Sequence, residues 1–127
     1  MSEPQSNSGD LQQKYKQFLE LTPLATALAG LPVSGVRLYQ EEQIEARAIT
    51  ARISYRAAKL LVDEISGGDP QRYRQVLDLL PLAVAYAGLP PSEGRLFSED
   101  QIEARAMTVK AAIRVAKATA KEYLGGS

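Results

Sequence analysis

The sequence contains no cysteine, no histidine and no tryptophan. Without cysteine it cannot form a disulfide, a thiolate metal site or a cysteine nucleophile. Without histidine it lacks the usual general base near neutral pH and the commonest zinc ligand. Its glutamates and lysines could act as acids and bases, but no nucleophile, orienting partner or phosphate-binding loop stands beside them. We therefore expect a non-catalytic protein that holds no metal and no cofactor.

An excess of charge and a long apolar segment are also missing. The chain has 15 basic and 15 acidic residues and a formal net charge of zero, so its total charge favours neither a nucleic acid nor a membrane as partner. No apolar run has the length of a membrane span, and the polar first residues contain no signal-peptide hydrophobic region. These absences predict a cytoplasmic protein that does not bind membranes.

What the sequence does contain is a repeat. The segment from Lys14, KYKQFLELTPLATALAGLPVSGVRLYQEEQIEARA, recurs from Arg72 as RYRQVLDLLPLAVAYAGLPPSEGRLFSEDQIEARA, at a constant offset of 58 residues. Each half alone would be near the lower limit of what one core can support, so we expect the halves to share a core. Few aromatic residues and many alanines favour closely packed helices, and the fold is predicted to be all-α.

Composition also sets the boundaries. Residues 1–10 are polar and contain Pro4 and Gly9, which predicts a mobile tail. Residues 11–127 are predicted to form a single helical domain, made of a first repeat (11–68) and a second repeat (69–127). Each repeat contains a shorter helix, a turn-rich connection and a long helix, and the short join SGGDP predicts antiparallel neighbours. The expected fold is a four-helix bundle of two tandem helical hairpins.

Two prolines lie inside the predicted shorter helices, Pro23 in the first and Pro81 in the second. An interior proline removes one helical hydrogen bond and costs about 3 kcal/mol. We therefore expect each shorter helix to be kinked, or broken in two, at its proline. Gly30 and Gly88 are predicted to end these helices.

The long helices carry an apolar seam, in which apolar residues alternate steps of four and three. In the first repeat the seam comprises Ile44, Ala48, Ala51, Tyr55, Ala58, Val62 and Ile65, and in the second Ile102, Ala106, Val109, Ile113, Ala116, Ala120 and Tyr123. The pattern predicts burial along each long helix. At its start the second long helix has the better cap, because Ser98 is followed three residues later by Gln101, whereas the first has Gln40 in that place.

The connection between the helices contains one arginine in each repeat, Arg37 or Arg95, close before a helix N-terminus. Free amide groups and the helix dipole favour anions there, so a phosphate or carboxylate could bind. The alternative is a structural role, in which these arginines pair with glutamates of the following helix: Glu41, Glu45, Glu99 and Glu103. Those carboxylates would occupy the place that an anion needs.

Four basic residues form a stripe on the second long helix: Lys110, Arg114, Lys117 and Lys121. Such a stripe could follow a phosphate backbone. Basic residues toward a helix C-terminus are also what the helix dipole favours, and no aromatic platform accompanies them to stack bases. An anion-binding or RNA-binding module is therefore the alternative function.

The favoured function is a non-catalytic interaction or scaffold protein that acts through its helix faces and self-associates. The long helix of the first repeat is apolar beyond its seam, at Ile49, Ile53, Leu60 and Leu61. The shorter helices are expected to cover part of that surface, and the remainder would bind a protein partner or a second copy in a homodimer.

Overall fold

A computed structural model of the protein describes the backbone of residues 3–125 and the side chains of residues 9–125. Over that range the chain forms α1 (Glu3–Ala29), α2 (Glu41–Ser66), α3 (Pro70–Ala87) and α4 (Glu99–Tyr123). No strand occurs between residues 3 and 125. The predicted all-α helical bundle is confirmed.

The first helix begins earlier than the sequence indicates. Helix α1 starts at Glu3, inside the segment that is predicted to be a mobile tail. Pro4 is compatible with this start, because the first turn of a helix needs no backbone N–H donor from it. Leu11 and Tyr15 are both exposed, so these early turns pack against little of the bundle. The mobility of the segment stays a prediction, and residues 1 and 2 lie outside the described residues.

The join between α2 and α3 follows the local signals in the sequence. Gly67 adopts a left-handed conformation with φ of 60°, and its N–H donates to the carbonyl of Asp63 at 2.9 Å, which ends α2. The Asp69 carboxylate accepts a hydrogen bond from the Gln71 N–H at 2.9 Å, and Pro70 is the first residue of α3. The two helices are therefore separated by only three residues: a glycine ends α2, and an aspartate caps α3, whose first residue is a proline.

Both internal prolines lie within continuous helices, Pro23 in α1 and Pro81 in α3. The expected break into two short helices is wrong, whereas the expected bend stays a prediction. The carbonyl that loses its donor belongs to Leu19 in α1, an exposed residue that water can reach, and to Leu77 in α3, a buried residue. The Thr26 hydroxyl also donates to the carbonyl of Pro23 at 2.9 Å.

Neighbouring helices α3 and α4 run antiparallel. The start of α3, with Arg72 and Gln75, lines a groove with Lys117 near the end of α4. The end of α3, with Tyr86, lines another groove with Thr108 in the first half of α4. Helix α4 also lies beside α2, where Lys110 pairs with Glu64 at 3.0 Å.

The core lies between all four helices. Its most deeply buried members include Leu24, Leu28, Ala58, Val62, Val76, Ala83, Ile102, Val109, Ile113 and Ala116. The predicted seam of α4 is therefore buried from Ile102 to Ala116, but Tyr123 is exposed. In α2 the prediction of burial fails at the start of the helix, where Ile44 and Ala48 are exposed. The first buried residue of α2 is Thr50, so the start of this helix is not covered by the rest of the described bundle.

Among residues 3–125, no helix has the length and apolar character needed to cross a bilayer. The cytoplasmic location stays a prediction.

Candidate functional site

Arg105 joins the two repeats. Its side chain extends from α4 to the end of α1, where Nε donates to the carbonyl of Leu28 and Nη2 to that of Ala27, both at 2.9 Å. The remaining nitrogen, Nη1, donates to the carbonyl of Pro90 in the loop before α4 at 2.7 Å. Arg105 is buried, and burial lowers its pKa from the ordinary value. Because the ordinary pKa of arginine is so high, the guanidinium stays charged.

The sequence leaves a backbone carbonyl at the end of α1 without a hydrogen-bond donor, and Arg105 bonds to it. In a continuing helix the carbonyl of Leu28 would accept from the N–H of residue 32, but residue 32 is proline and has none. Arg105 supplies the missing donor. The positive charge also lies at the negative end of the α1 dipole, which stabilises both.

A glycine and an aromatic ring complete the contact. The Arg105 guanidinium carbon lies 4.3 Å from the centre of the Phe97 ring, a cation–π arrangement. A Cβ atom on Gly30 would lie 2.6 Å from both Arg105 Nη2 and Phe97 Cε2, so only glycine fits. The Ser92 N–H donates to the carbonyl of Gly30 at 2.9 Å. We call this contact the internal joint: Arg105, Phe97 and Ser92 against Ala27, Leu28 and Gly30.

The first repeat contains the same arginine and ring, but they meet no second helix. Arg47 Nη1 donates to the carbonyl of Pro32 at 2.7 Å, and its guanidinium carbon lies 4.4 Å from the centre of the Tyr39 ring. These two contacts match those of Arg105 with Pro90 and Phe97. Within the described part of the chain Arg47 makes no other hydrogen bond, so its Nε and Nη2 groups face no protein acceptor.

The surface around Arg47 is apolar and exposed. Ile44 is 54 % exposed, whereas Ile102, at the same place in the second repeat, is 0 % exposed. Leu38 is 93 % exposed, and Leu96, its counterpart, is half-buried. Val33 and Val36 of the same loop are also exposed. We call Leu38, Tyr39, Ile44 and Arg47 the first-loop surface.

The end of α3 is the counterpart of the end of α1, and it is open. Gly88 has a φ of 56°, as Gly30 has a φ of 53°, but a Cβ on Gly88 would meet no described atom within 4 Å. Pro90 lies four residues after Tyr86, so the Tyr86 carbonyl lacks a helical donor in the same way as that of Leu28. No described side chain donates to the carbonyls of Ala85 and Tyr86. We call Ala85, Tyr86 and Gly88 the α3 end.

Arg37 and Arg95, the predicted anion contacts, lie exposed in the two loops. Their backbone carbonyls accept hydrogen bonds from the hydroxyls of Ser34 and Ser92, which hold each turn. Neither side chain forms an ion pair with a described carboxylate, so the expected pairing with glutamates of the next helix is not found. Their role as ligand contacts stays a prediction.

The four residues of the predicted basic stripe differ in their contacts: one forms an ion pair and three do not. Lys110 pairs with Glu64 of α2, as described above, and is therefore occupied. Arg114, Lys117 and Lys121 are exposed on α4 and form no ion pair with any residue that the structure describes. Among residues 9–125, whose side chains the structure describes, no acidic residues cluster in the manner of a metal site.

Arg47 and Arg105 were not among the residues that the sequence singles out. Each occurs in the segment QIEARA, where an arginine among acidic residues is typical of a solvated helix face. A signal was nevertheless present: both repeats place an aromatic residue, Tyr39 or Phe97, eight residues before the arginine.

The fold and these contacts define a small all-helical bundle that contains one closed and one open copy of the same joint. Comparison of the chain with protein-family models, curated proteins and solved structures finds no match. Its function is therefore inferred from its own residues.

Proposed function

We propose that this chain is a non-catalytic protein-interaction or scaffold module that binds its partner through the first-loop surface and self-associates. The observation that carries the proposal is that Ile44 and Leu38 are exposed and Arg47 is partly exposed, whereas their counterparts in the second repeat are more deeply buried. Apolar side chains that have buried counterparts in the same chain are suited to burial against a partner. The repeated sequence supports two tandem hairpins of related structure, as do the ends of α1 and α3 at Ala29 and Ala87 and the starts of α2 and α4 at Glu41 and Glu99, each pair 58 residues apart.

The polar groups of the surface support the same function. A protein partner that supplies carbonyl oxygens would satisfy the two guanidinium nitrogens of Arg47, which already holds a fixed position over Tyr39. Arginine and tyrosine are both enriched at the energetically dominant positions of protein interfaces. Because the arginine is already placed by its own loop, little side-chain entropy would be lost on binding.

Light scattering after size-exclusion chromatography tests this proposal. At tens of micromolar we expect a mass above that of the monomer, and we expect it to persist in about 1 M salt because apolar burial is not screened by ions. Ile44→Asp should restore the monomer. Leu11→Asp, at an exposed apolar position on α1, is the matched control and should not. A monomer under all conditions would contradict self-association.

An RNA-binding or anion-binding function is the second candidate, because Arg114, Lys117 and Lys121 are exposed without acidic partners among the described residues. It predicts that labelled single-stranded RNA binds at low salt and is released as salt rises. Lys117→Ala should then weaken binding, and Lys59→Ala, whose lysine pairs with Asp63 at 2.8 Å, should not. Absence of binding at low salt would remove this candidate.

A further inference from the structure

The internal joint shows what the first-loop surface is built to bind. In that joint Arg105 and Ile102 of the second repeat are buried and Phe97 is half-buried, with the arginine hydrogen-bonded to the end of α1. The residues 58 positions earlier are Arg47, Tyr39 and Ile44, which form the first-loop surface. The matching receptor is the helix end 58 positions after that of α1, which is the α3 end.

Both halves of this second joint are present and unused within the described chain. Arg47 and Arg105 bind their own loops alike: in each, Nη1 donates to a loop carbonyl at 2.7 Å. At the α3 end, Gly88 leaves the same open space that Arg105 and Phe97 fill at Gly30. The Ser34 N–H and the Gly88 carbonyl are likewise the counterparts of the Ser92–Gly30 hydrogen bond.

The differences between the two helix ends do not block such a contact. Tyr86 replaces Leu28, and its hydroxyl lies 2.9 Å from the Thr119 hydroxyl of α4. The ring is thus held along α4, away from the backbone carbonyl that Arg47 would need. The end of α3 also presents the negative end of its dipole to a positive side chain, as α1 does.

The described chain does not close this joint on itself: Arg47 donates only to the carbonyl of Pro32, and a Cβ on Gly88 would meet no described atom within 4 Å. We infer that the first-loop surface binds the α3 end of a second copy of this chain, so that copies join head to tail. The inference rests on the proposed protein-binding function and names the partner. Such a contact is heterologous, and it continues into a ring or an open filament instead of stopping at a dimer.

The intermolecular contact should be weaker than the internal joint. Inside the chain the two repeats are connected by the join at residues 67–69, so their effective concentration is high. Between copies the same hydrogen bonds must offset the loss of translational and rotational freedom. We therefore expect assembly to depend on protein concentration in the micromolar range and above.

Three variants test the inference by sedimentation velocity. Arg47→Glu removes the donor and disables the first-loop surface. Ala85→Arg places a positive charge among the carbonyls that Arg47 would bind, and a cation at a helix C-terminus does not disfavour the helix. Ala118→Arg is the matched control, since it adds the same side chain at an exposed position near the C-terminus of α4. Ile44→Asp and Gly88→Ala serve as second variants for the two surfaces if either first variant unfolds.

We expect the parent protein and Ala118→Arg to form species that grow with concentration beyond a dimer. Arg47→Glu and Ala85→Arg should each remain monomeric alone, with apparent dissociation constants raised about tenfold or more. An equimolar mixture of the two should form a dimer and nothing larger, because one intact surface of each kind remains.

The unfavourable outcomes separate the two proposals. If Ala85→Arg assembles as the parent does while Arg47→Glu does not, the first-loop surface binds something other than the α3 end, and only the head-to-tail inference is overturned. The same conclusion follows if both variants are monomeric and their mixture is too. If the parent protein itself stays monomeric at hundreds of micromolar, both the inference and the proposed self-association are wrong.

Discussion

Arg47 and Arg105 occupy the same place in the two repeats and bind their own loops in the same way, but only Arg105 also reaches the end of another helix. The difference does not come from the arginine, the ring or the loop carbonyl, which both repeats provide. It comes from what each arginine meets: Arg105 lies against the end of α1, whereas no described helix end lies against Arg47. The repeated sequence therefore makes one internal contact, and it leaves the first-loop surface and the α3 end without the corresponding contact among the described residues.

The same comparison explains which hydrophobic residues are buried. Ile102 lies in the core beside the internal joint, whereas no described helix covers Ile44 in the same way. Local sequence is nearly identical around both, so local sequence cannot decide their burial. Their environment is decided by the order of the repeats.

The largest expected effect comes from removing the arginine that closes the joint. Arg105→Met keeps an apolar stem but leaves the carbonyls of Ala27, Leu28 and Pro90 without their donor, and should lower the free energy of unfolding by about 4 kcal/mol. Arg47→Met loses one hydrogen bond at a partly exposed position and should cost about 1 kcal/mol or less. Urea unfolding followed by circular dichroism, at micromolar protein, measures both.

If the two arginine variants lost stability equally, the Arg105 contacts of the internal joint would contribute no more to the free energy of unfolding than the contacts of Arg47. The closed and open copies would then differ in geometry but not in energy.

A smaller effect is expected at the two glycines. Gly30→Ala and Gly88→Ala share a left-handed strain of about 1 kcal/mol, since their φ angles are 53° and 56°. Gly30→Ala also forces Arg105 and Phe97 away from the new Cβ, so its total cost should be about 3 kcal/mol. The measurement is again the shift in urea midpoint at unchanged slope.

A double variant sharpens the test at the glycines. In the Arg105→Met background the excess cost of Gly30→Ala over Gly88→Ala should shrink, because residues in direct contact are energetically coupled. An excess that survives unchanged would mean that Phe97, or the backbone alone, accounts for it.

The elements of the fold were predictable because they depend on near neighbours in sequence. The stop at Gly67, the cap at Asp69 and the helical start at Pro70 follow from the backbone preferences of those residues. The seam of α4 was predictable for the same reason, since its spacing fits the helical period. Pro23 misled the expectation of a break, because a helix in contact with a bundle can hold its course through one missing hydrogen bond.

The candidate site was less predictable, because it depends on which parts of one repeat meet the other. Pattern alone predicts burial for Ile44 and Ile102 alike, and solvent for Arg47 and Arg105 alike. The contacts between Arg105 and the end of α1 join residues 77 and 78 positions apart, and no local pattern encodes that distance. The local signals were Pro32, which leaves a carbonyl without its donor, and the aromatic residue eight positions before each arginine.

The smallest expected effect concerns the first turns of α2 and α4. The Ser98 hydroxyl accepts from the Gln101 N–H at 3.3 Å, and the Ser98 N–H donates to the Gln101 side chain at 2.8 Å. At the first start the Gln40 N–H donates to the Gln43 side chain at 2.7 Å, a bond that Gln40→Ala would keep because its donor is backbone. Ser98→Ala should therefore cost about 1 kcal/mol and Gln40→Ala only a few tenths.

Position adds to the difference between the two caps. Fraying of α4 would disturb Ile102 and the arginine three residues beyond it, whereas fraying of α2 would release only residues that are already exposed. Hydrogen exchange at the amides of Gln43 and Gln101 measures this directly. The Gln101 amide should be protected and should lose protection in Ser98→Ala, while the Gln43 amide should exchange fast in every variant. Equal protection at both amides in a monomeric sample would mean that the start of α2 is held by contacts as firm as those around the internal joint, and the contrast between the closed and open copies would not extend to their helix starts.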